Sequence, residues 1–116
     1  MSKPRFNIIL EIDTLAHANT IKNNIQSELA GKDLFEQRFF SISTDTISNK
    51  IILFADWRFN SAIDRDALKD WARDQIENHP NVKNWVQKAK LSWHRCTHDE
   101  SLIENCEITN YFEWNK

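Results

Sequence analysis

The chain has 116 residues, 41% of them hydrophobic and 28% charged, which suits one soluble domain built around one core. A formal charge of −2 carries no general basic footprint and argues against a nucleic-acid partner. No apolar run approaches the roughly 18 residues of a membrane span, and two cysteines, Cys96 and Cys106, are too few for a disulfide scaffold, so a cytoplasmic protein with no membrane partner is expected.

Met1-Ser2-Lys3-Pro4 leads straight into strand-like sequence and predicts no signal-peptide core. From Arg5 to Asp13, Phe6, Ile8, Leu10 and Ile12 alternate with Arg5, Asn7, Ile9, Glu11 and Asp13, the pattern of a half-buried strand. Asp13-Thr14 then offers N-cap oxygens, and Leu15, Ala18, Ile21, Ile25 and Leu29 recur at helical spacing up to Gly31, placed to close the helix with a left-handed residue. That single glycine is also an exclusion. Phosphate-binding loops, dinucleotide fingerprints, nucleophile elbows and KH loops need closely spaced glycines, and none is available.

Leu34–Thr44 and Lys50–Phe59 are rich in β-branched and aromatic residues, and the polar stretch Thr44–Asn49 between them predicts a hairpin. Asn60-Ser61 breaks the pattern. Leu68, Trp71, Ala72, Gln75 and Ile76 mark a second helix, with Asp64 and Asp66 near its positive end, that stops at His79-Pro80-Asn81. Lys88–His98 alternates again, and Glu107–Trp114 reads as a fifth strand or a docking segment. The implied organisation is a domain over residues 1–98 followed by an extension over 99–116. Its fold class is α+β: a ferredoxin-like (split βαβ) antiparallel sheet with two helices on one face and a possible fifth C-terminal strand.

Two helices on one face leave the other face of the sheet open. The predicted register collects there Arg5, Asn7, Ile9, Glu11 and Asp13, then Phe39, Ser41 and Ser43, then Ile52, Phe54, Asp56 and Arg58, then Lys88, Lys90, Ser92, His94, Cys96 and His98. Ile9, Phe39, Ile52 and Phe54 form an apolar patch within this set, of the kind that marks an interaction surface. Candidate ligand- or partner-binding residues on the face are Ile9, Glu11, Phe39, Phe54, Arg58 and His94. A homodimer is the leading expectation, with a further protein partner as an extension of it.

The sharpest local motif is His94-Arg95-Cys96-Thr97-His98. Imidazole and thiolate suit zinc, and Cys106 offers a fourth ligand, so His94, Cys96 and His98 are the candidate metal ligands. Against this, i, i+2 and i+4 on a flat strand span about 13 Å, too far for one ion without a bend. No cysteine-protease signature surrounds either thiol. Glu11, Asp13 and Asp56 on neighbouring strands could bring two acids within reach for acid–base work, but Arg5 and Arg58 on the same face make cross-strand ion pairs the simpler account.

Lys83, Lys88, Lys90 and Arg95 interleave with Trp85 and Trp93 in an acid-free stretch, the composition of a single-strand nucleic-acid surface. The third strand lacks the glycine–aromatic pattern of an RNA-stacking sheet, and the acidic tail (Glu104, Glu107, Glu113) can neutralise the basic run across a hairpin. Trp71 and Trp93 are expected in the core, Trp85 and Trp114 near the surface. With no complete catalytic set, these patterns favour a small non-enzymatic binding or assembly module associating through the helix-free sheet face. The alternative is a small enzyme or ligand-binding protein of the dimeric α+β barrel kind, with a pocket between sheet and helices and His94 or Glu11 as proton carrier. Metal binding or single-stranded nucleic-acid binding would come next.

Overall fold

A computed structural model describes residues 4–95 and 107–116. The chain runs β1 (Arg5–Ile12), α1 (Leu15–Leu29), β2 (Leu34–Asp45), β3 (Lys50–Phe59), α2 (Ala62–Asn78), α3 (Pro80–Trp85), β4 (Val86–Arg95) and β5 (Glu107–Asn115). The five strands make one antiparallel sheet in the order β2-β3-β1-β4-β5.

Local chemistry sets the element ends. The Thr14 hydroxyl accepts from the His17 amide to cap α1, and the Ser61 hydroxyl accepts from the Ile63 amide to cap α2. Gly31, at φ 86°, carries the chain out of α1 in the left-handed region predicted for it. In the β2–β3 turn Asn49 takes φ 61°, a conformation asparagine tolerates better than most residues. The Asp45 carboxylate accepts from the Ile47 amide and the Ser48 hydroxyl in the same turn.

One helix was not foreseen. Pro80 does not simply end α2; it opens α3 at its first position, where a missing N–H costs nothing. His79 caps this helix, its Nδ1 accepting from the Val82 amide, and Val82 is buried as the anchor. Among the described residues the sheet is therefore accompanied by three helices rather than the two expected. β4 also starts two residues earlier than predicted, at Val86, directly out of α3.

The core lies between the helices and one face of the sheet. Phe6, Ile8, Leu10 and Ile12 of β1 and Leu53, Ala55, Trp57 and Phe59 of β3 meet Ala18, Ile21 and Ile25 of α1 and Leu68, Ala72 and Ile76 of α2. Trp57 is the largest fully buried side chain, with its indole N–H donating to Gln37 Oε1 at 3.1 Å. Trp71 and Trp93, expected in the core, are only half-buried, as are Trp85 and Trp114. β5 extends the sheet beyond β4, and the Tyr111 hydroxyl donates to Asp70 Oδ1 of α2 at 2.8 Å while Lys69 and Arg73 lie over its ring. Among the described residues, no helix is long and apolar enough to cross a membrane.

Candidate functional site

The register of the three inner strands determines what the helix-free face presents. Across β1 and β3, Asn7 faces Asp56, Ile9 faces Phe54 and Glu11 faces Ile52; across β1 and β4, Ile9 faces Lys90 and Glu11 faces Lys88. β2 brings Phe39 opposite Asp56, Ser41 opposite Phe54 and Ser43 opposite Ile52. These rows reproduce the face predicted from alternation. His94 takes the register position opposite Arg5, at the end of the same face.

The middle of the face is apolar and open. Ile9 is 40% exposed and Phe39 50%, the Phe39 and Phe54 rings lie 5.5 Å apart in a tilted pair, and Ile52 is half-buried beside them. Ring pairs at this separation fall within the favourable range for aromatic contacts.

One end of the face is polar yet buried. Arg5 Nε and Nη2 donate to Asp56 Oδ1 and Oδ2 at 3.2 and 2.6 Å, a two-pronged ion pair with Asp56 only 2% exposed. Arg58 is buried too, its Nη1 3.8 Å from Glu36 Oε2 across the β2–β3 ladder. Arg58, a candidate contact residue of the face, thus lies buried in a cross-strand ion pair of the general kind predicted for the two arginines. The Ser92 hydroxyl donates to Asn110 Oδ1 of β5.

Toward the other end lies an open hollow of about 490 Å³, bounded by Ile9, Glu11, Ile52, Lys88, Lys90 and Trp114. Glu113 of β5 stands opposite Lys90, so the acidic tail does fold back on the basic strand. By contrast, the gap between the helices and the sheet, lined by Ile8, Ile21, Asn24, Trp71 and Gln75 among others, measures about 20 Å³, room for about one water.

Cys96, His98 and Cys106 lie outside the described residues; of the candidate metal ligands only His94 has a described strand position. No group of three histidine, cysteine, aspartate or glutamate side chains is close enough to hold a metal ion among the described residues. Sequence reasoning passed over one constellation. His17 Nδ1 lies 2.7 Å from Asp13 Oδ1, and its ring stacks on Trp85 at 4.1 Å between centroids. The signal was available: Asp13 and His17 are four apart at a capped helix start, which places them on one side of the first turn.

No family model matches the chain, and no curated protein sequence matches it. Its fold is similar to that of Rv0793 from Mycobacterium tuberculosis, with a TM-score of 0.53 and 8% sequence identity over 85% of this chain and 99% of that one. At that identity the likeness concerns the fold alone.

Proposed function

We propose that this chain is a small, non-enzymatic, cytoplasmic binding or assembly module that pairs with a second copy of itself through the helix-free face of its sheet. In this reading the β2-β3-β1-β4 order is the ferredoxin-like, split βαβ arrangement, with β5 added at the β4 edge. The observation that carries the proposal is the apolar strip formed by Ile9, Ile52, Phe54 and Phe39 on a face that none of the helices among the described residues covers. Burying a side chain of this kind contributes about 1.5–3 kcal/mol, so several together offset much of the cost of association.

Charge balance favours a second copy as the occupant. Two identical faces repel each other when they carry net charge, but here Lys88 and Lys90 are matched by Glu11 and Glu113 around the strip. The competing reading, a small-molecule site between sheet and helices, needs a pocket of about 300 Å³ or more. The gap there is far smaller.

The test is sedimentation equilibrium of the untagged chain from micromolar to near-millimolar concentration, beside the Ile9→Lys variant. A wild-type mass above that of one chain that is halved in the variant is the expected result. A wild-type monomer across the whole range would sink the proposal.

A further inference from the structure

We infer that β2 forms a second contact between copies of this chain, edge to edge, in which two β2 strands pair antiparallel about a two-fold axis through Ile42. This contact is separate from the face contact proposed above and does not depend on it.

The sheet has two outer strands, β2 and β5, and they differ in how they are protected. β5 carries Glu107, Glu113 and the nearby Lys116, and a bulge interrupts its ladder with β4 between Leu91 and Ser92. Charges and bulges are the devices that stop an edge from recruiting another strand. β2 has such irregularities only in its first half, between Leu34 and Glu36 and between Gln37 and Phe39. From Phe39 to Asp45 its pairing with β3 is regular, leaving a straight outer edge of seven residues, Phe39-Phe40-Ser41-Ile42-Ser43-Thr44-Asp45. This stretch contains no proline, glycine or lysine, and no charge before Asp45. It is dominated by aromatic, β-branched and small hydroxyl residues, the composition that pairs most readily at an open edge.

A second β2 is the occupant that fits this edge. Centring the pair on Ile42 uses the whole regular stretch. It sets Ser41 opposite Ser43 of the other copy, Phe40 opposite Thr44 and Phe39 opposite Asp45, with no like charges facing. Hydroxyl pairs and aromatic–β-branched pairs are favourable cross-strand neighbours. Because each position meets its mate twice, this contact by itself is complete at two chains, whereas a head-to-tail β2–β5 contact is complete only if it closes a ring.

The test uses two double variants at exposed positions and reads mass together with amide exchange. Ser41→Lys/Ser43→Lys sets lysine against lysine twice across the axis; Ser41→Lys/Ser43→Glu sets lysine against glutamate twice. With both contacts in place the wild-type particle exceeds two chains. The lysine pair is expected to halve its mass and speed amide exchange in Phe40–Thr44, and the lysine–glutamate pair to restore both. Unchanged mass and exchange in the lysine pair would overturn the inference. So would failure of the lysine–glutamate pair to rescue, since that would mean a different register. Ile9→Lys separates the two readings. Because Ser41 and Ser43 also lie on the helix-free face, the amide exchange decides between them: slow exchange in Phe40–Thr44 that survives Ile9→Lys and is lost in the lysine pair keeps the edge contact, whereas a mass loss in the lysine pair with Phe40–Thr44 exchange unchanged overturns it and leaves only the face contact.

Discussion

Replacing Asp56 by alanine is the perturbation whose size follows most directly from the structure. The Arg5 guanidinium reaches both oxygens of the Asp56 carboxylate, and the two side chains are only 10% and 3% exposed. Removing the carboxylate leaves a buried cation whose lost hydration is not restored, a change that costs about 3–5 kcal/mol. That is a large share of the roughly 5–15 kcal/mol that holds a domain of this kind together. The converse experiment is as informative. Arg5→Met/Asp56→Leu removes both charges and fills the space with apolar volume, and it is expected to fall within about 1 kcal/mol of the wild type or above it. Asp56→Asn should lie between the wild type and the alanine variant, retaining one acceptor for Arg5 without the charge. Urea unfolding at one low, fixed protein concentration measures all three, with unchanged m-values as the sign that only stability has moved. An Asp56→Ala cost below about 1 kcal/mol would refute the reasoning, because it would mean that water reaches the pair.

Three further outcomes are expected. Trp57→Ala should destabilise the fold by about 3–5 kcal/mol in the same assay, since it empties the largest fully buried site and orphans Gln37. The Ser48 hydroxyl and the Ile47 and Ser48 amides hold the Asp45 carboxyl below the ordinary carboxylate value. The turn is therefore firm above that value and loosens as pH falls through the lowered pKa; an NMR titration of the Ser48 amide should show this inflection, and Asp45→Asn should remove it. Tyr111 is shifted the other way, upward, chiefly by burial and then by its bond to Asp70. The unfolded chain thus loses this proton first, stability declines as pH rises above about 10, and Tyr111→Phe should flatten that decline.

Much of the fold was legible because a strand has a period of two and one buried face. The bounds of β3 and the open rows of β1 and β3 follow from alternation, apart from Asp13, which lies beyond the end of β1, and the hairpin follows from the polar stretch before Lys50. What escaped notice has physical causes. α3 was missed because proline both ends and begins helices, and only the buried Val82 and the His79 cap decide which it does at Pro80. The tryptophans were misjudged because alternation assigns a face but not a depth: Trp71 and Trp93 lie in phase with the core yet are half-buried, whereas Trp57, which like Trp93 pairs with Phe6, is fully buried. Arg58 illustrates the same gap on the open face, where the alternation correctly chose the side but could not reveal that Glu36 and burial engage it. The His17–Asp13 pair needed the position of Trp85, which depends on the unforeseen helix.

The central claim is that copies of this chain meet through the helix-free face. The most direct measurement follows isoleucine methyl and phenylalanine ring resonances by NMR during dilution. Ile9, Ile52, Phe39 and Phe54 lie on the face, while Ile63 on α2, 81% exposed, serves as an apolar control away from both proposed contacts. Shifts that move with concentration at the four face residues, and stay fixed at Ile63, are the predicted result. Face resonances that do not change with concentration, or changes as large at Ile63, would contradict the account.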